Sequence, residues 1–407
     1  MWWTRKNSQK DDPPAPERGD LALVLSGGGA RAAYQVGLLR CLARRHPDLS
    51  VQILTGVSAG AINVSMLAAH EGTFAEAVER LYDLWANLEA EDVFRADKGS
   101  LLRQMASWSA RLVSGGSGVG RRAQGLVDTA PLRELLTRAL HPNEAGVLPG
   151  IDAKLRQGSL GAEGLKAVAV TTLNYATGQT VTWVQGRDIR NWERNNRRSR
   201  QTRLRVDHVM ASSALPLAFP AVKIDRDWHG DGGVRLSAPL SPALHLGARR
   251  ILAVSTRYQR TAEEQERPET TGYPPPAQVA GQLMKAIFLD VLDDDVTRME
   301  RFNNLVRRIP EEERDGMRLI DIVALRPSVD LGTLASEYEP RLPGFFRYLT
   351  RSLGTKDTKS PDFLSLLMFQ RDYLKRVIEI GEADAEARVE EIEELLIPEK
   401  AAAPQPV

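Results

Sequence analysis

The chain has 407 residues, 42% of them apolar and 26% charged, with a formal net charge of +1. This admits one large or two ordinary domains with a real core, while the near-zero charge excludes a global electrostatic pull toward nucleic acid or an acidic partner. A single cysteine, Cys41, excludes an intrachain disulfide and a cysteine-rich metal site, and six histidines without the paired spacing of a zinc helix predict no metal.

The first 20 residues form a charged, proline-rich tail without the apolar run of a signal peptide. No window approaches the roughly 18 apolar residues needed to cross a bilayer, so a cytoplasmic protein is expected, with any membrane contact peripheral. Leu21 to Leu25 reads as a buried strand, followed directly by Ser26-Gly27-Gly28-Gly29-Ala30-Arg31 and then by helical periodicity from Ala32 to Arg45. Cys41 falls in that apolar helical stretch and reads as a packed thiol.

A glycine run between a strand and a helix exposes backbone N–H groups that bind anions or stabilise an oxyanion. As a dinucleotide loop it is incomplete. Ala32 replaces the last glycine of G-x-G-x-x-G, no G-K-[ST] is present, and no acidic residue closes the next strand. The favoured reading is an oxyanion hole serving a nucleophile on the neighbouring strand.

That nucleophile is Ser58. Val51 to Leu54 reads as a short buried strand and Ala59 to Ala69 as a helix of small residues, which puts Ser58 on the tight turn between them. Gly56 and Gly60 remove side chains on either side of the turn, so the helix can start close against the sheet. The pentapeptide alone is a weak signal; its strand and helix context strengthens it.

Helical patterns continue at Phe74 to Leu88, Leu101 to Val113 and Pro131 to Leu140. The glycine-rich stretch Ser114 to Arg122 reads as a loop or lid. Leu165 to Thr172 and Gln179 to Val184 flank a turn and predict a hairpin. Eight arginines crowd Arg187 to Arg205, and Arg187, Arg190, Arg194 and Arg197 are spaced three and four apart, as on one helical face. A solvated basic face is the default reading, and peripheral contact with an anionic membrane is the functional one. No nucleic-acid motif accompanies it.

Val206 to Pro220 reads as a buried helix stopped by prolines. Asp231 then sits among Gly230, Gly232 and Gly233, a turn by default. A serine hydroxyl needs a nearby base, and a carboxylate on a rigid turn can serve. Ile251 to Ser255 is a further buried strand.

The order Gly27-Gly28-Gly29-Ala30-Arg31, Gly56-Val57-Ser58-Ala59-Gly60 and Asp231-Gly232-Gly233, with the Ala211 to Pro220 segment before the aspartate, resembles the patatin-like phospholipase family. The resemblance covers about Asp20 to Tyr258, in the manner of a bacterial member with a C-terminal extension. It implies a three-layer α/β/α fold with a mostly parallel sheet and a lipid acyl hydrolase of the phospholipase A or lysophospholipase type, needing no cofactor. It also implies a dyad in which Ser58 attacks and Asp231 takes its proton, with the Gly27 to Gly29 N–H groups holding the oxyanion and Arg31 matching the family's arginine. Ala32 departs from a frequent family glycine. Two alternatives stay open: a soluble esterase whose triad recruits a histidine such as His229, otherwise read as a turn or surface residue, and a silent lipid- or partner-binding scaffold.

The expected organisation is a tail at 1–20, a catalytic domain at 21–260, a proline-rich linker at 261–276, a mainly helical extension at 277–400 and a tail at 401–407. Within the extension, Gln278 to Val306 reads as a long helix and Leu319 to Leu325 as a strand. Asp293-Asp294-Asp295 reads as a solvated face, and Phe363 to Ile378 as one amphipathic helix packing on the catalytic domain.

Overall fold

The computed structural model describes residues 20–95, 125, 127–157, 164–216, 218–266, 279, 282, 291–341 and 362–396. The expected helix at 101–113, the loop at 114–122, residues 1–19 and 401–407 of the tails, residues 267–276 of the linker, and residues 278, 280, 281 and 283–290 of the expected long helix lie outside them.

In chain order the elements that position the site are β1 (Leu21–Leu25), α1 (Ala33–Arg45), β2 (Ile53–Val57), α2 (Ala59–Ala69), α3 (Phe74–Ala86) and α4 (Ala130–Leu140). Then come β3 (Ala167–Asn174), β4 (Thr180–Gly186), β5 (Glu193–Arg194), β6 (Arg197–Gln201), α5 (Val206–Ser212), β7 (Val222–Ile224), β8 (Asp227–Asp231) and β9 (Arg250–Val254). The chain continues through α6 (Val291–Val306), β10 (Asp321–Leu325), α7 (Asp362–Leu367), α8 (Arg371–Ala387) and α9 (Val389–Leu396).

All ten strands among the described residues join one sheet, ordered β10-β9-β1-β2-β3-β4-β6-β5, with β8 on β3 and β7 on β8. From β10 through β3 every neighbouring pair is parallel, and the central strands β1, β2 and β3 are buried along their whole length, as parallel strands covered on both faces are. Side chains alternate across the sheet. Leu21, Leu23 and Leu25 enter a large core shared with α1 to α4, while Ala22 and Val24 enter a smaller one with Leu292 and Val296 of α6. The result is a mixed α/β architecture with helices on both faces of a mostly parallel sheet and a helical C-terminal region.

The hairpin of β3 and β4 forms as its alternation predicts. The basic segment does not form the expected helix. Arg194 lies in β5 and Arg197 in β6, a short antiparallel pair turning at Asn195-Asn196 on the sheet edge, and Arg187 and Arg190 precede it in non-helical chain. A three-and-four spacing of exposed arginines carries no hydropathic signal that could separate helix from hairpin, and two asparagines in a row mark the turn.

Three further expectations are corrected. The Val206 helix ends at Ser212, ahead of its prolines. The amphipathic pattern from Phe363 to Ile378 is split by Met368 to Gln370 into α7 and α8, because Met368 and Phe369 are drawn into the core. The acidic run at 293–295 is not simply solvated. Asp293 pairs with Arg326 at 2.6 Å and Arg257 at 3.5 Å, and Asp295 accepts the Leu240 N–H at 2.9 Å.

α8 lies along α1. A Cβ on Gly37 would stand 1.9 Å from the Ile378 carbonyl oxygen, and one on Gly381 would stand 2.1 Å from that of Tyr34. The two backbones touch where both side chains are missing, and Arg44 pairs with Glu382 at 3.0 Å beside the contact.

Candidate active site

The parallel register of β1 and β2 pairs Leu25 with Gly56, so the glycine loop after β1 and the turn after β2 leave the sheet side by side. β3 brings in the third component. Its edge pairs with β2 up to Val57 opposite Thr171, and β8 takes over from Thr172, which lies opposite Asp231. β4 occupies the other edge of β3 along this stretch. β2 and β8 therefore meet head to head, and their last residues deliver Ser58 and Asp231 to one point.

Ser58 has φ 56° and ψ −130°, a conformation that costs a non-glycine residue on the order of 1–3 kcal/mol. Its surroundings hold it there. The Ser58 N–H donates to Ser212 Oγ at 2.9 Å, that hydroxyl donates to the Thr171 carbonyl at 2.7 Å, and Ser213 Oγ donates to the Ser58 carbonyl at 3.1 Å. The turn is also tightly walled. A Cβ on Gly56 would stand 2.4 Å from the Gly60 carbonyl oxygen, one on Gly60 2.3 Å from that of Leu25, and one on Gly27 2.9 Å from Ser58 Cβ. α2, buried on nearly every side, begins immediately after Ser58 and points its N-terminus at the site.

Asp231 is fully buried. Its Oδ1 accepts the Gly233 N–H at 2.8 Å, while Oδ2 has no hydrogen-bond partner among the described residues. Burial pushes its carboxyl up to about 7, against the opposing influence of the Ser58 hydroxyl and the Gly233 amide. The Ser58 hydroxyl is thus felt by the carboxylate without a formed hydrogen bond. Gly232 packs on β3, where a Cβ would stand 2.3 Å from the Thr171 carbonyl oxygen, and the Tyr175 phenol lies over Gly230.

In the glycine loop, Gly28 has φ 151° and Gly29 φ 54°. The Gly28 and Gly29 amides donate to no other described residue. The Gly27 carbonyl accepts from Thr256 Oγ1 at 2.7 Å. A buried polar chain steadies the loop from behind: Trp85 Nε1 donates to Asn63 Oδ1, Asn63 Nδ2 to Gln35 Oε1 and Gln35 Nε2 to the Ser26 carbonyl, each at 2.8 Å. Arg31 is buried and donates from Nε to Ser365 Oγ at 2.6 Å.

Ser58, Gly28 and Gly29 open into a narrow crevice. The remaining lining is almost wholly apolar, with Ile62 from α2, Leu84 and Trp85 from α3, Leu132, Leu135 and Leu136 from α4, Phe219, and Leu366, Leu367 and Phe369. The oxyanion-hole and serine candidates therefore share one crevice, and Asp231 lies just behind it.

His229 is neither turn nor surface. It is buried in β8 with Nδ1 3.0 Å from Thr172 Oγ1, packs on Trp183, and burial lowers it to about 4. It makes no hydrogen bond to Ser58 or Asp231. Among the described residues, no group of three or more His, Cys, Asp or Glu side chains could hold a metal ion, and no helix is long and apolar enough to cross a membrane.

The supporting residues Ser212, Thr256, Gln35, Asn63 and Trp85 were not legible as site residues in the sequence. Their one signal is polarity inside apolar segments, which does not say what each bonds.

The family model described as patatin-like phospholipase matches residues 23–244, more than half of the chain. The chain is a member of the patatin-like phospholipase family. The family match thus carries with it a lipid ester hydrolase in general terms. Among solved structures, VipD from Legionella pneumophila is 13% identical, with 95% of this chain and 78% of VipD covered at a TM-score of 0.33. Human GIVD cytosolic phospholipase A2 is 11% identical, with 93% and 60% covered at a TM-score of 0.46. ExoU from Pseudomonas aeruginosa is 14% identical, with 95% and 82% covered at a TM-score of 0.22. This chain spans 60% of the human enzyme, and at these scores none of the three structures adds to the family match. No curated protein sequence matches the chain.

Proposed function

We propose that this protein hydrolyses lipid carboxylic esters of the phospholipase A or lysophospholipase type with Ser58 as nucleophile and Asp231 as general base. The observation that carries the reading is the head-to-head meeting of β2 and β8. It sets a strained serine against a buried carboxylate whose Oδ2 is unpartnered, at the polar end of an apolar cavity.

Ser58 Oγ attacks the ester carbonyl carbon as its proton passes to Asp231 Oδ2. The carbonyl oxygen becomes an oxyanion in reach of the unengaged glycine-loop amides, which stabilise the charge as it develops. Collapse breaks the bond to the leaving alcohol, which takes the proton back from Asp231, and the acyl group stays on Ser58. Water repeats the sequence, giving its proton to Asp231 and releasing the fatty acid.

An ordinary aspartate is too weak a base for this step at neutral pH. Burial raising Asp231 to about 7 brings it near the operating range. The acyl chain would occupy the apolar cavity, and the exposed Arg190 and Arg194 beside the β5 and β6 pair would meet anionic headgroups.

The test is fluorophosphonate labelling and fatty-acid release from mixed phospholipid vesicles by wild type, Ser58→Ala and Asp231→Asn. Labelling that depends on Ser58 and release that requires both residues are expected. Wild-type protein that neither labels nor cleaves, with or without vesicles, would remove the reading.

A further inference from the structure

The residues matched to the family end at 244, yet the cavity does not close without residues that come more than a hundred positions later. Leu366, Leu367 and Phe369 line it together with Ser58, Gly28 and Gly29. Resting on the ester-hydrolase reading above, we propose that the segment Ser365 to Phe369 is the acyl-selecting wall of the site, and that Leu367 limits the chain length accepted.

This wall is built into the glycine loop. A Cβ on Gly29 would stand 2.1 Å from the Leu366 carbonyl oxygen, so the loop has room for α7 only because position 29 carries no side chain. Two residues on, the Arg31 side chain reaches Ser365 Oγ at 2.6 Å, with Arg31 2% and Ser365 0% exposed. A buried guanidinium is costly unless hydrogen-bonded, so this contact locates α7 against the loop.

The far side is also fixed. Phe369 meets Phe94 edge-on at 6.3 Å between ring centroids, and Phe94 lies 5.8 Å from Phe219, which lines the same cavity. Behind the wall, α8 is seated on α1 through Gly37 and Gly381. Leu366 is 3% exposed and Leu367 is half-buried, so Leu367 can change size with the least disturbance to the core.

A fixed apolar wall selects chains by the methylenes it lets in. Each methylene excluded from an apolar site costs about fourfold in kcat/KM. Leu367→Trp fills the volume of roughly two methylenes, so its effect is on the order of tenfold.

The experiment measures kcat/KM on p-nitrophenyl butyrate, octanoate and palmitate for wild type, Leu367→Trp and Phe369→Ala, with thermal unfolding of each. Leu367→Trp is expected to lower the palmitate-to-butyrate ratio on the order of tenfold, and Phe369→Ala to raise it. Folded variants that both keep the wild-type ratio within about twofold overturn the proposal.

A second readout needs no turnover. Free fatty acids of 8, 12 and 16 carbons displace a fluorescent fatty acid from Ser58→Ala protein, with and without Leu367→Trp. Selective loss of the longest acid supports the wall, and an unchanged order of affinities overturns it. A wild-type protein that cleaves no ester removes the hydrolase reading, while this binding series still decides the wall.

Discussion

Asp231→Asn should cost the protein its hydrolysis and make it more stable, by an amount that depends on pH. Burial raises the carboxyl from 3.8 to about 7. About three pKa units correspond to about 4 kcal/mol of preference for the neutral form in the folded state. Between these two values the native state keeps a proton that the unfolded chain has released, so stability falls as pH rises through the window and levels off above 7.

Asparagine escapes that penalty: its Oδ1 can still accept the Gly233 N–H and its amide can face the Ser58 hydroxyl. Urea unfolding of wild type and variant at pH 5 and 8.5 should show the variant ahead at both, with its advantage larger at pH 8.5 by about 2–3 kcal/mol. A variant less stable than wild type at pH 8.5, or an advantage equal at the two pH values, would refute the assignment of a buried, pKa-raised carboxylate to this position.

Four further outcomes follow from the site. Wild-type kcat/KM on a neutral ester should rise with pH and level off above about 7, as the carboxylate becomes available to accept the serine proton; a profile flat from pH 5 to 9 would contradict it. Gly29→Ala should lose about 1–3 kcal/mol of stability and most of its fluorophosphonate labelling, since φ is 54° and the added Cβ meets the Leu366 carbonyl. Ser212→Ala should lose about 1–3 kcal/mol in chemical unfolding and slow the labelling, because the Ser58 N–H loses its acceptor. His229→Gln should label at Ser58 within about tenfold of the wild-type rate; abolished labelling in a folded His229→Gln protein would reinstate a histidine base.

The glycine loop and the serine turn were legible because each is local: a run of apolar residues, a glycine where a side chain would collide, and a reactive residue within a few positions. β1, β2 and β9 were legible for the same reason, being buried on both faces and therefore continuously apolar. What brings Asp231 to Ser58 was not legible. It depends on β8 taking over the edge of β3 at Thr172, a register that no local pattern in Asp227 to Asp231 specifies.

The support for the strained serine was hidden in the same way. Ser212 and Ser213 bond the Ser58 peptide groups from about 150 positions away. Arg31 shows the limit of motif reading most plainly. Its place beside the glycine run suggests that it fixes the loop or adds positive charge, and the Ser365 contact that ties it to α7 lies 334 positions away, where no motif points. The arginine hairpin erred in the opposite direction, because spacing alone was read as periodicity.

The position of α7 over the glycine loop also sets an order of events in time. Leu366 is made roughly 300 residues after Ser58. At a synthesis rate of about 5–20 residues per second, that separates them by about 15–60 s on the ribosome. Through that interval the nascent chain carries its serine and its glycine loop but lacks Leu366, Leu367 and Phe369, which line the same cavity. On the wall proposal above, an acyl chain is held only after α7 has been made and seated on the glycine loop, so the serine turn and the site it serves mature at different times.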